Sequence, residues 1–329
     1  MNLLPPRRLV RLSALLATCL GLVLAGASTA SAQYFSNSSF WNAPLASDAP
    51  LDARSSVWAD HMAAKVNQYG SWINTTSYST PVYTVPAKQP LVKVKIDWPS
   101  AQYDAEFESG VPVPVGLVPA AGTDMHVAIW QPSTDTLWEF WQMRIAGDGL
   151  WHANTAGKIT HVSTDDGLFA PHPYDQPYGA TASELPLTPG LITPDELKTG
   201  VIKHALTVAI PHPLHFFWWT WPATRSDGDS FDWYDVPEGA RFRLPANLDL
   251  TKLGLTRTGV IIARAVQKYG LVINDRSTTV HFDAQDPVNL GADPYPALFG
   301  GLSPSSALYN FPWRSLQALA SQPNQPWPS

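Results

Sequence analysis

Cysteine is almost missing from this chain: Cys19 is the only one in 329 residues. It lies in an apolar run near the N-terminus, so the body of the chain has no disulfide, no thiol nucleophile and no thiolate metal site. Charge is also scarce, at 15% of residues against a usual quarter, with a net charge of −6. A sparse, mildly acidic surface argues against nucleic acid and anionic membrane as partners. The sequence has no phosphate-binding loop, dinucleotide fingerprint, Gly-x-Ser-x-Gly elbow or HExxH helix. Its nine histidines include no pair at i, i+4, which excludes the compact zinc motifs. Beyond the N-terminal region no segment approaches about 18 consecutive apolar residues, so no membrane span is predicted. The lack of a repeat excludes a propeller.

At the N-terminus, Arg7, Arg8 and Arg11 precede an apolar core from Leu12 to Gly26, and Ala30-Ser31-Ala32 is a small-residue cleavage site. This predicts a bacterial export signal over residues 1–32 and a secreted, extracellular single domain over residues 33–329. A chain exported without disulfides must draw its stability from a large core.

Tryptophan and proline are abundant, at 14 and 31 residues. Indoles serve as large core residues and as stacking faces for sugar rings. Prolines spread along the chain favour short elements with long loops over a helical bundle. Helices are predicted over residues 53–69 and 256–269, each followed by glycine (Gly70, Gly270), and Thr193-Pro194-Asp195-Glu196 forms a capping box for a third that ends at Gly200. Strands are predicted at residues 72–76, 82–85, 91–98, 151–162, 201–211, 216–221 and 240–244. Residues 271–274 and 279–283 read as a hairpin around Asp275-Arg276-Ser277. The expected fold is mainly β: a two-sheet sandwich of jelly-roll, concanavalin-like type with two or three peripheral helices. One echo stands out. Val66, Tyr69, Gly70, Ile73 and Asn74 recur 200 residues later as Val266, Tyr269, Gly270, Ile273 and Asn274, which marks a shared helix–glycine–strand geometry.

The richest stretch runs from Gly122 to Arg144. Two apolar runs flank the turn cluster Pro132-Ser133-Thr134-Asp135, which predicts a β-hairpin. If Gln131 faces Thr136, then Ala128 faces Glu139 and His126 faces Trp141, and one face carries Asp124, His126, Trp130, Leu137, Glu139 and Trp141. A carboxylate inside so apolar a strand suits a general acid. Glu139 is therefore the expected acid or nucleophile, with Asp124 or Asp227 as its partner. His126 and His204 are candidate imidazole bases, and Trp130, Trp141 and Trp151 are candidate sugar platforms. Arg225 and Arg241 are candidates to bind substrate through their planar forks. The run Asp227, Asp229, Asp232, Asp235 raises Ca²⁺, but its glycine and glutamate are misplaced for an EF-hand, so the expectation is no metal and no cofactor.

The phrases Gly122-Thr123-Asp124-Met125-His126, Leu137-Trp138-Glu139-Phe140-Trp141, Gly179-Ala180-Thr181-Ala182-Ser183, Gly200-Val201-Ile202-Lys203-His204-Ala205-Leu206, Trp221-Pro222-Ala223 and Arg241-Phe242-Arg243-Leu244 together resemble an uncharacterised family of secreted bacterial β-sandwich proteins. The resemblance spans most of residues 33–329 and implies no particular activity. The Glu-x-Asp-x-Glu motif of laminarinase-like jelly rolls is absent. The expected function is a monomeric glycoside hydrolase that cleaves a polysaccharide or oligosaccharide by paired carboxylates. Two alternatives stand beside it. One is a polysaccharide lyase with a His base and an Arg neutraliser, and the other is a non-catalytic glycan- or cell-wall-binding protein.

Overall fold

A computed structural model describes Met1 and residues 34–99, 104–171 and 176–324. The export signal expected over residues 1–32 lies, apart from Met1, outside the described residues. The contacts place Ser31–Ser329 in one compact unit, and no described helix is long and apolar enough to cross a membrane.

In chain order the elements are α1 (Ser55–Tyr69), β1 (Ser71–Asn74), β2 (Val82–Thr84), β3 (Val94–Ile96), α2 (Asp104–Glu108), β4 (Val127–Gln131), β5 (Thr136–Trp141), β6 (Arg144–Ile145), β7 (Trp151–Ala153) and β8 (Thr155–Thr160). Then follow α3 (Pro194–Thr199), β9 (Leu206–Ile210), β10 (Arg241–Arg243), α4 (Arg257–Lys268), β11 (Leu271–Arg276), β12 (Val280–Asp283), α5 (Tyr295–Leu298) and β13 (Gln317–Ala318). They build three sheets: β1-β12-β9-β11-β10-β13, β2-β4-β5-β8 and β3-β7-β6.

The protein is rich in sheet and poor in helix, as expected of a mainly-β chain. The strand pairing differs from a jelly roll, whose strands are antiparallel. β1/β12, β9/β11, β2/β4 and β3/β7 are parallel pairs. The predicted hairpin of residues 271–274 and 279–283 is also absent, because β9 inserts between β11 and β12. The aromatic run 216–221 forms loop and an isolated bridge rather than a strand.

The six-stranded sheet separates two apolar cores. Its strands alternate up to a bulge in β11, so Ile73, Val208, Ile273, Val280 and Phe282 pack on one side against Trp58 and Met62 of α1 and Ile262 and Val266 of α4. The second core, which contains Val272, gathers around Val127, Ile129, Leu137 and Phe140 of the β4–β5 hairpin. Each large apolar side chain buried in this way contributes about 1.5–3 kcal/mol. The Thr256 hydroxyl caps α4 by accepting from Gly259 N–H. Gly270 then turns the chain into β11 at φ +86, and a Cβ there would lie 2.7 Å from the Phe242 carbonyl oxygen.

The β4–β5 hairpin has the predicted register, with Ala128 opposite Glu139 and Gln131 opposite Thr136. Asp135 occupies the left-handed region at the turn (φ 49), and its carbonyl and side chain bind the Val162–Ser163 backbone. The capping box of α3 is present in both directions, from Thr193 to Glu196 and back.

Candidate functional site

The alternation that sends Ile73, Val280 and Phe282 into the first core sends their neighbours to the opposite face. Trp72 and Asn74 of β1 pair with His281 and Asp283 of β12, and Ala209 of β9 lies beside His281. A bulge in β11 breaks its register with β9 between Ile273 and Asp275. A regular strand would aim Asn274 and Asp275 at opposite faces, but here both reach the same side. These residues floor a cavity of about 370 Å³. Thr123, Asp124 and His126 from the base of the hairpin and the 275–279 connection complete its walls.

The mouth is shaped by two aromatic rings. Trp72 stands edge-on to His281, with ring centroids 6.1 Å apart. Tyr78 lies across Gly122, where a Cβ would come within 2.8 Å of its ring and φ is +98, so only glycine lets the tyrosine lie so close to the hairpin base.

Asp124 and His126 sit where the hairpin ladder ends. Met125 (φ 41) and Gln142 (φ 56) leave the extended conformation, and Gln142 N–H donates to the Asp124 carbonyl at 2.7 Å. The Trp141 indole donates to Asp124 Oδ1 at 3.2 Å. His126 is buried, and desolvation lowers its pKa, which keeps the ring neutral. Its Nε2 lies 3.1 Å from the Ala180 carbonyl oxygen and so carries the proton. Nδ1 then holds the ring's lone pair, and the Ser79 backbone also lies near the ring.

The floor is a polar layer whose hydrogen-bonding capacity is only partly used. Asp283 accepts from Asn274 Nδ2 at 3.0 Å and pairs with His281 Nε2 at 3.2 Å. Burial alone would raise the Asp283 pKa, but the hydrogen bond and charge of His281 outweigh it and hold the carboxylate below its ordinary range. His281 Nδ1, Asn274 Oδ1 and both amide atoms of Asn74 are buried without a partner. Such groups cost free energy unless a water or a bound molecule bonds them.

Asp275 is the carboxyl with the most unusual surroundings. Arg276 N–H donates to its Oδ1 at 2.8 Å and Ala182 N–H reaches Oδ2 at 3.4 Å. Behind it, Asp227 and Glu238 bring their carboxylate oxygens within 4.8 Å of its own. Burial, then the charges of Asp227 and Asp124, push Asp275 well above the usual carboxylate range. Glu238 is fully buried, and burial followed by the charges of Asp227 and Asp275 pushes it up as well. Arg276 faces them, with its Nε 3.3 Å from Asp227 Oδ2. An acidic cluster does not by itself make a cation site, and a shared proton joins such carboxyls without a metal. The carboxylates of the Asp227, Asp229, Asp232, Asp235 run have separate partners. Asp229 pairs with His212 and Arg276, Asp232 accepts from Tyr234 N–H, and Asp235 pairs with Lys65.

Of the residues expected from sequence, Asp124 and His126 line the cavity, Trp141 holds Asp124, and Asp227 backs Asp275. Glu139 is corrected to a structural role. It is fully buried outside the cavity lining and accepts from Leu187 N–H, Thr188 N–H and Thr188 Oγ1 at 2.8, 2.8 and 2.6 Å. It pins a loop whose Leu187 side chain lines the cavity. His204 also lies elsewhere, with Nε2 2.8 Å from Glu196 Oε1. Trp130 packs edge-on to Tyr34, and Trp151 packs against the second core. Arg225 stands over Trp98, and Arg241 is wedged between Phe40 and Trp221, where burial lowers its pKa to about 10. His204, Trp130, Trp151, Arg225 and Arg241 do not line the cavity. Sequence reading missed Trp72, Asn74, Tyr78, Asn274, Asp275, His281 and Asp283. The signal was present in the alternating strands SWIN and VHFD and in the echo, whose two asparagines both reach the cavity floor.

The Glu196–His204 pair yields a test of stability against pH. Burial alone lowers the His204 pKa, but the charge of Glu196 raises it overall, and His204 lowers that of Glu196 in turn. The histidine contribution is present below its unfolded value near 6.5 and is lost as pH rises through the higher folded value. The glutamate contribution is present above its unfolded value near 4.3 and is lost as pH falls through the lower folded value. Urea denaturation of the wild type and of His204→Gln is expected to show the largest difference between about pH 4.5 and 6.5. A difference independent of pH would contradict the pairing.

No protein-family model, curated protein or solved structure matches the chain.

Proposed function

We propose that the cavity hydrolyses a glycosidic bond, with Asp275 as general acid and Asp124 as the opposing carboxylate, acting as nucleophile or base. The observation that carries this reading is the meeting of these two carboxyls at one cavity in unlike surroundings. Asp275 is pushed toward its protonated form by burial and by Asp227 and Asp124, whereas Asp124 accepts a hydrogen bond from the Trp141 indole. Two titratable groups whose environments differ in this way suit an acid–base pair, and glycoside hydrolysis needs one carboxylic acid and one carboxylate. The remaining groups suit a sugar. Asn74, Asn274 and His281 offer unsatisfied donors and acceptors to hydroxyls, His126 offers a lone pair, and Trp72 and Tyr78 offer ring faces.

A lyase reading is less well supported. A lyase needs a cation to neutralise a uronate, and the cavity's Arg276 is already held by Asp227 and Asp229. Asp124 and Asp283 would repel an anionic sugar. On the leader at residues 1–32 we place the enzyme outside the cell.

Assaying polysaccharides for new reducing ends tests the reading, and release from a neutral glycan is the expected result. Glycan binding without release would favour the non-catalytic protein, and an ultraviolet-absorbing unsaturated product from a uronate polymer would favour the lyase.

A further inference from the structure

Outside the cavity, the most unusual surface is a shelf of exposed aromatic rings. Phe217, Phe231, Trp233 and Tyr234 are 53%, 73%, 40% and 60% exposed. Contiguous apolar surface of this kind marks a binding site more often than a chance exposure does. The shelf is built by two loops laid side by side. His215 N–H donates to the Ser230 carbonyl, Phe216 N–H donates to the Gly228 carbonyl, and Leu214 bridges Ser230. Gly228 permits this approach, since a Cβ there would lie 1.9 Å from the Leu214 carbonyl oxygen. Buried His215 anchors the rings from below, with centroids 4.1 Å from Phe216, 4.3 Å from Phe231 and 4.9 Å from Phe217. Trp218 and Trp233 meet edge to face at 4.4 Å. The rings are thus held in fixed positions.

The shelf is joined to the cavity. Arg276, a cavity-lining residue, donates from Nη1 to Asp229 Oδ2 at 3.0 Å, and Asp229 lies between the two residues that bond the facing loop. The surrounding charge is acidic: Asp227, Asp229 and Asp232 lie in the same loop, and Arg276 is the cation between them and the cavity. Such a field opposes phosphate backbones, anionic lipid and uronates alike. Neutral sugar rings, whose C–H faces pack on flat aromatic side chains, suit both the apolar surface and its charge.

We infer that the shelf continues the substrate groove, so that the substrate is a neutral polysaccharide whose chain runs from the cavity over Arg276 onto Phe231 and Trp233. The inference rests on the glycosidase reading of the cavity and names its substrate class. Affinity electrophoresis of the full chain in arabinoxylan, galactomannan and mixed-linkage β-glucan, with polygalacturonate as the anionic control, tests it. At least one neutral polymer is expected to retard the wild type. Retardation should fall at least tenfold in the Phe231→Ala, Trp233→Ala double variant and persist in Trp233→Phe. On the polymer the double variant should raise KM about tenfold, while kcat/KM on a short oligosaccharide of the same sugar stays within about twofold. Retardation by none of the neutral polymers, equal retardation by polygalacturonate, or a double variant that binds like the wild type would each overturn the inference. Retardation of the wild type without cleavage of any polymer would overturn the hydrolytic reading and leave the shelf standing.

Discussion

Asp275→Asn is expected to lower turnover between about a hundred- and ten-thousand-fold, the range that a positioned general acid supplies, and to leave KM within about threefold. The amide keeps the size and, through its one oxygen, one of the two hydrogen bonds from Arg276 and Ala182 N–H, but it cannot act as an acid. The pH profile should change in a defined direction. The acid must be protonated, so wild-type kcat/KM should fall as pH rises through the raised Asp275 value, and the variant should lose that alkaline limb. Stability should move the other way. A carboxyl whose folded pKa lies above its unfolded value destabilises the fold when it ionises, so replacing it relieves repulsion from Asp227 and Asp124. The melting temperature of Asp275→Asn should therefore equal or exceed that of the wild type, with the gain growing toward neutral pH. A loss of activity that comes with a lower melting temperature at all pH values would identify Asp275 as a folding residue instead.

Glu139→Ala is expected to have the opposite signature: a loss of about 3–5 kcal/mol in stability with a functional cavity in the molecules that remain folded. The cost follows from geometry. Leu187 N–H, Thr188 N–H and the Thr188 hydroxyl all donate to this one carboxylate, and deletion leaves three buried donors without an acceptor. Glu139→Gln should cost less, about 1–3 kcal/mol, because its amide oxygen still accepts on one side while its NH₂ faces a donor on the other. Urea denaturation gives both numbers. Unchanged denaturation midpoints in both variants would refute the structural role.

Much of the scaffold was legible in the sequence. The β4–β5 register followed from the Pro132–Asp135 turn and from alternation, which fix pairing locally. The α3 capping box and the long C-terminal helix were legible because caps and a 3.6-residue period act over a few residues. What failed was non-local. The insertion of β9 between β11 and β12 turns a predicted hairpin into a mixed sheet, and no local pattern encodes that choice. The same limit explains the misplaced acid. Glu139 had the composition of a buried carboxylate, and it is buried, but the loop that covers it arrives from residues 187–188. Asp275 read as a turn residue because the bulge that re-aims it depends on the pairing of β11 with β9. Only the hairpin wall of the candidate site was therefore visible. Asp124 and His126 were identified, and the sheet face opposite them was hidden in strands whose order in space is not written locally.

Assaying Asp275→Asn and Glu139→Gln side by side, on whichever neutral polysaccharide the wild type cleaves, tests the central claim most directly. The expected result is that Asp275→Asn loses hydrolysis while Glu139→Gln keeps it within about threefold at a temperature where both are folded. An active Asp275→Asn beside an inactive, folded Glu139→Gln would contradict the account and return the chemistry to the hairpin strand.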